Sequence, residues 1–440
     1  MEKASILLGG LLCLSLQLLA QPVGEAPPQV TSLLWPGWGG PHRDFTADST
    51  GLAVSWPKTG PAKLWQRLLG EGQSGIAADD ERLFTIYRPP TGKKGQWTPK
   101  EVVVALDARS GRTLWEHEYA ASTATMDFTN GAGPHSTPLI VGDRLFAAGT
   151  NKQFFAFDTS TGRLIWSHDF VREYRSPGNA LRYPVKPGYA ASPLAYKDTV
   201  IAMVGGADQG VMAFAQDDGR VVWRAGRFSD IAQGSPQIAS VDGQDQLVVV
   251  SNDGVHGLDP GTGQALWGPV PLEKQYGAHI STPVWSPQDQ LLFFSAAYDG
   301  GSKALKLTRT GQTTKVTELW FSSKMRVHFG NVLRIGPLYV GSSGDLGPSF
   351  LTALDARTGV VVWQDRSFAK ANLVFADGKV ILVDEDGTLG LLTVAPERVT
   401  VLAKATVTSA TAWTAPSLVG TTLYLRDRAN IMAFDLGRKP

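Results

Sequence analysis

Cysteine is all but missing from this chain: Cys13 is the only one. That excludes a disulfide framework, a thiolate zinc site and a Cys-x-x-Cys-His haem attachment within the sequence. Charge of one sign is missing as well. Lys+Arg number 41 against Asp+Glu 40, a net charge of +1, so no global field points to nucleic acid. No Gly-rich phosphate loop and no Gly-x-Ser-x-Gly elbow occurs. Beyond the N-terminus, no segment carries the apolar period of a long amphipathic helix. What the chain has in quantity is Gly (48), Pro (27) and Trp (13), the makings of many tight turns and of bulky apolar contacts.

The tryptophans recur after a turn. The clearest copies run 105–115, 156–166 and 353–363, each Ala-x-Asp followed by a Gly and ending in Trp115, Trp166 or Trp363. Looser copies end at Trp223, Trp267 and Trp320. The unit reads as strand, turn, strand: Asp107 can bond the backbone ahead of it, and Gly111 can take the positive φ that closes the hairpin. Two more short strands follow each Trp, as in Ser136–Gly149 and Phe154–Phe157. Four short strands recurring at roughly 40–50 residues mark a propeller blade, which must stack on neighbours to bury its core.

Eight blades result. Six end at Trp115, Trp166, Trp223, Trp267, Trp320 and Trp363, and a seventh, around Leu391–Leu402, keeps its strands without a Trp. The chain stops at Ile431–Leu436, one strand short, and the missing strand is Ala62–Leu68 with Trp65. The predicted fold is therefore all-β, an eight-bladed propeller of four-stranded blades over 62–440. Its N-terminal strand completes the C-terminal blade, which removes two open sheet edges. An open β-solenoid is the alternative, and it leaves both ends unexplained. The seven tryptophans, Trp65 included, are expected to dock blade on blade.

On these residues the chain resembles the PQQ-like (quinoprotein) propeller family, whose repeat is Ala-x-Asp-x-x-Thr-Gly-x-x-x-Trp. Ala156, Asp158, Thr161, Gly162 and Trp166 match fully, as do Ala353, Asp355, Thr358, Gly359 and Trp363. Trp35-Pro-Gly-Trp-Gly-Gly-Pro-His-Arg-Asp44 resembles the lead-in of secreted bacterial members, with Gly39 where Arg is usual. The resemblance implies one of two classes: PQQ-dependent alcohol and sugar dehydrogenases, or the non-catalytic lipoprotein of the outer-membrane barrel-assembly machinery. The alcohol dehydrogenase branch is expected to carry two adjacent cysteines beside its cofactor, and this sequence has no such pair. The soluble sugar-dehydrogenase branch lacks that pair too.

The N-terminus reads as an address. Residues 1–20 form a signal peptide with an apolar run from Ile6 to Ala20, short for a membrane span. Cleavage after Ala20 is favoured over lipidation at Cys13, because Leu12 is not the small residue a lipobox wants. Residues 21–61 form a lead-in holding the Trp-Pro-Gly-Trp motif. The mature chain is expected to be exported, periplasmic or extracellular, with no transmembrane segment.

One constellation is a candidate ligand site. With the blades aligned on the strand that follows each Trp, placing Leu83, Leu145, Leu338 and Val380 in register, or on the Pro of the Ser-x-Pro step where there is one, the equivalent residues are Gln73, His135, Ala190, Gln233, Ile280, His328, Lys370 and Trp413, with Tyr189 and His279 one position earlier. These are expected to converge on one mouth of the central channel. His135, His279, His328, Lys370, Gln73, Gln233 and Trp413 would then offer neutral and cationic donors with few carboxylates, suited to a small anionic guest. The acidic residues Asp127, Asp299, Asp345, Asp384 and Asp386 read as turn caps, and no metal site is expected. Two functions stay open. The preferred one is a non-catalytic binding or scaffold propeller with a protein or polymer partner on a face and no cofactor. The other is an oxidoreductase of small alcohols or sugars using PQQ with calcium.

Overall fold

The computed structural model describes Met1 and residues 34–438, apart from residues 94, 125, 129–130, 178–187, 227–232, 273–279, 299 and 346. The predicted signal segment and His279 therefore lie outside the described residues. Eight four-stranded antiparallel sheets follow one another along the chain. Blade 1 covers residues 77–120, blade 2 139–169, blade 3 194–225, blade 4 237–270, blade 5 284–322, blade 6 332–365 and blade 7 371–406. Blade 8 takes its three inner strands from 417–435 and its outermost strand from Ala62–Leu68. That strand runs antiparallel to Asn430–Asp435, pairing Ala62 with Asp435 and Leu68 with Asn430. The ring is an eight-bladed β-propeller closed by both ends of the chain, as the missing strand predicts.

Local chemistry explains the repeat. In the outer hairpin, Asp158 accepts the backbone N–H of Ser160 and Thr161 through Oδ1, and Gly162 donates to its carbonyl. The hydroxyls of Ser160 and Thr161 bond the same oxygen, and these bonds hold the carboxyl of Asp158 well below the usual range. Asp107, Asp259 and Asp355 cap their turns likewise. The Ala of the motif lies directly across from the Trp: Ala105 from Trp115, Ala156 from Trp166, Ala213 from Trp223, Ala353 from Trp363. A bulge follows that pair in each of these blades. Only a small residue there leaves room for the indole.

Five of the seven indoles then clamp the next blade. Trp65 donates to Ala108 O, Trp115 to Thr159 O, Trp166 to Gln216 O, Trp223 to Pro260 O and Trp320 to Ala356 O, at 2.9–3.2 Å. In each case the ring covers the turn glycine of that blade: Gly111, Gly162, Gly219, Gly263 and Gly359, where a Cβ would stand 2.5–2.7 Å from the ring. Two joints differ. Blade 5 has a long outer hairpin, Gly301–Thr310 with Thr313–Ser322, and no Asp turn facing Trp267. Trp267 donates instead to Gln246 Oε1 of its own blade, and Gln246 passes the contact on to Thr314 Oγ1. Blade 7 lacks the motif, and Trp363 Nε1 is shielded with no partner.

The lead-in belongs to the ring rather than preceding it; Leu33–Pro440 form one compact unit. Trp35 exchanges both backbone bonds with Ala78, and Pro36 O accepts from Ile140 N. Trp38 Nε1 donates to Thr282 Oγ1, Gln237 Nε2 donates to Arg43 O, and Phe45 O accepts from Phe375 N. These partners sit on or beside the innermost strands of blades 1, 2, 5, 4 and 7. Only a segment lying in the bore reaches all of them. The glycines of the motif follow from this crowding: Gly40 has φ +73, and a Cβ there would lie 2.7 Å from the Trp35 ring.

Candidate functional site at the channel mouth

The inner strands begin at Ala77, Leu139, Leu194, Gln237, Val284, Val332 and Ser417 in blades 1–6 and 8. Gln73, His135, Ala190, Gln233, Ile280, His328 and Trp413 each stand four residues before those starts, and Lys370 directly precedes Ala371 of blade 7. A belt of bonds shows that equivalent positions step round one axis. Gly75 N donates to Thr137 Oγ1, Thr137 N to Ser192 Oγ, and Ser192 N to Ser235 Oγ. The candidate residues lie two positions further out at the same end, from Gln73 to Gln233.

Contacts link the six described candidates. Gln233 Nε2 donates to Gly188 O, and Gly188 packs on Thr150. Thr150 and the His135 imidazole both lie against Gly133. Gln73 N donates to Pro134 O, and the Gln73 amide packs with Glu71 and Arg428 around Gly131. Arg428 pairs with Glu71 at 2.7 and 3.1 Å and lies over the rings of Trp97 and Trp413. Trp413 packs on Phe329 with centroids 5.0 Å apart, and its Nε1 donates to Glu385 Oε2. Lys370 Nζ lies over Phe329, donates to Asp345 O and stands 3.9 Å from Glu385. Phe329 stacks on His328, whose Nε2 bonds the Tyr298 hydroxyl at 2.7 Å. His328 is 3% exposed. Burial first, and then Lys370, push its pKa down to about 3, so the ring is neutral.

The electrostatics differ from the sequence expectation of few carboxylates. Glu71, Glu385 and Asp345 stand among the cations, so Arg428 and Lys370 are already neutralised. What the mouth presents instead is aromatic. Trp97 stacks on Phe128 at 5.5 Å, and Trp97, Phe128, Tyr298, Phe329 and Trp413 are all partly exposed. The arc Tyr298–His328–Phe329–Trp413–Arg428–Trp97–Phe128 is continuous. Sequence reasoning missed Trp97, Phe128, Tyr298 and Phe329 because they fall in connections with no common spacing. Phe329 directly follows His328, which was the one available signal. Asp384 caps a turn, accepting from Ala369 N and Thr388 N, while its neighbour Glu385 serves the mouth. Asp299 lies outside the described residues. Gln233 Oε1, Tyr189 Oη and His328 Nδ1 are shielded without a partner.

No helix among the described residues is long and apolar enough to cross a membrane. The polyvinylalcohol dehydrogenase of Sphingopyxis sp. (strain 113P3) is 31% identical over 128 residues, 26% of this chain and 18% of that protein. The outer membrane protein assembly factor BamB of Yersinia pestis is 24% identical over 255 residues, 56% of this chain and 58% of that one. These matches span less than two thirds of either relative. Among solved structures, BamB from Moraxella catarrhalis superposes with a TM-score of 0.60 at 15% identity, covering 86% of this chain and 100% of that one, a likeness of fold. Residues 99–364, more than half of the chain, match the family model described as outer membrane protein assembly factor BamB. The chain belongs to that family of PQQ-like repeat propellers.

Proposed function

We propose that this protein is an exported, periplasmic, non-catalytic propeller that binds a protein partner through the aromatic rim of its channel mouth. The observation that carries the reading is the arc of Trp97, Phe128, Phe329 and Trp413 with Arg428 set between two of the indoles. Trp and Arg are the residue types that most often dominate binding energy at protein interfaces, and here they stand side by side and partly exposed. Self-paired charges on the same rim fix its geometry and give it no net preference for small ions. The family description, an outer membrane protein assembly factor, supports a partner among outer membrane proteins or their assembly factors.

The competing reading is a PQQ- and calcium-dependent oxidoreductase, supported by the partial likeness to polyvinylalcohol dehydrogenase. One experiment separates the two. The mature protein is titrated with PQQ and calcium, followed by absorbance and by dye-coupled turnover on alcohols and sugars. The scaffold reading expects no saturable quinone binding and no turnover. Tight binding with turnover overturns it.

A further inference from the structure

The lead-in carries a cation that the fold leaves without a counter-charge. Arg43 sits near the tip of the loop in the bore; its N–H donates to Gly40 O and its carbonyl accepts from Gln237 Nε2. Its Nε is shielded and has no partner. No carboxylate among the described residues pairs with the guanidinium, and burial alone lowers its pKa to about 10, so it stays charged. The residue as a whole is partly accessible, so the guanidinium is shielded without being sealed off.

The depth of this group follows from register. Gln237 is the first residue of blade 4's inner strand, and Thr282, which holds Trp38, lies two before blade 5's. The mouth residues lie four before those starts. Trp38 and Arg43 thus form a floor beneath the mouth. At the same depth Ser192 and Ser235 accept backbone N–H bonds through Oγ, which leaves their hydroxyl hydrogens to donate. Arg43 and Phe45 both hold left-handed backbone, φ 60 and 63, a conformation that costs a non-glycine residue energy and persists where the surroundings impose it.

We propose that the floor of the bore is a binding site for a small oxyanion, held by the Arg43 guanidinium. A lone buried cation is costly until an anion joins it, and the planar guanidinium fork matches the paired oxygens of a carboxylate or phosphate. The site is distinct from the rim and goes beyond the rim's protein-binding role.

The test uses the full mature protein and three probes at matched ionic strength: succinate, inorganic phosphate and chloride. Thermal melting and isothermal titration are read on the parent, on Arg43→Gln, on Arg43→Lys and on the surface control Arg112→Gln. The expected result is a saturable rise in melting temperature with succinate or phosphate, absent with chloride. The stronger of the two names the carboxylate or the phosphate class. Arg43→Gln abolishes the rise and Arg112→Gln keeps it. Arg43→Lys weakens affinity about tenfold, since a point charge lacks the fork. Should Arg43→Gln fail to fold, the Lys variant decides alone: parent-like affinity overturns the proposal. So does equal stabilisation by chloride, or an oxyanion effect that survives in Arg43→Gln. Rim variants leave this readout unchanged, so either assignment can fall without the other.

Discussion

Trp115 lies flat on Gly162 of the following blade, where a Cβ would stand 2.5 Å from the indole, and donates its N–H to Thr159 O at 2.9 Å. One contact ties the turn of one blade to the last strand of another, and it recurs at five joints. Gly162 is required twice over, for its φ of +71 and for the closeness of the ring. Gly162→Ala should therefore cost about 1–3 kcal/mol through strain and overpacking. Chemical denaturation with the midpoint and slope both fitted checks it; a parent-like midpoint would show that the indole can move aside freely.

The unpartnered indole makes the opposite case. Trp115→Phe removes a made hydrogen bond and should lose about 1 kcal/mol. Trp363→Phe removes an N–H that is shielded without a partner, so its melting temperature should equal or exceed the parent's. Differential scanning of the two variants side by side decides, and a larger loss at Trp363 would contradict the assignment of that joint.

A buried ion pair inside blade 1 also reaches the joint with blade 2, through Thr150. Arg88 and Glu101 side chains are both 0% exposed and meet at 2.6 Å. Glu101 also accepts from Tyr119 Oη and from Thr150 N, and Arg88 donates to Thr98 O and Ala121 O. Removing one partner strands the other charge, so Arg88→Met or Glu101→Gln should each cost about 3–5 kcal/mol. The double variant should recover part of that loss, which a double-mutant cycle in urea would measure.

How much of this was legible in the sequence follows from what kind of signal each part leaves. The Ala-x-Asp, Gly and Trp of each repeat report a local hairpin and its contact with one neighbour, so blade number and closure by Ala62–Leu68 could be read directly, and so could five of the seven docking tryptophans; Trp267 and Trp363 face turns that lack the motif. The Trp35–Phe45 plug could not. Its partners, Ala78, Thr282 and Phe375, are far apart in the chain, and a Gly-rich segment has no period to reveal them. At the mouth, position four before each inner strand was readable because it repeats. Glu71, Glu385 and Arg428 do not repeat, and they bring carboxylates and paired charges to a ring expected to hold neutral and cationic donors with few carboxylates.

Buried imidazoles give a pH signature. His328 and His256 are held neutral by burial, with pKa values lowered from 6.5 to about 3 and about 4. Below about pH 6.5 the unfolded chain takes up protons that the folded chain refuses. Their contribution to stability is full above that pH and is lost progressively as pH falls toward the folded values. Urea midpoints at a series of pH values should fall across this window, and less steeply in His328→Gln. An unchanged slope in that variant would mean His328 takes up its proton as readily in the fold as in the unfolded chain.

The rim itself is tested most directly by placing a photo-crosslinking amino acid at Trp97, Phe329 or Trp413, and at the exposed outer-strand position Val362 as control, in the native host. The account predicts one discrete crosslinked protein shared by the three rim positions, absent at Val362 and lost when Arg428→Ala is added. Crosslinks confined to Val362, or none at the rim in cells where the protein is fully expressed, would contradict it.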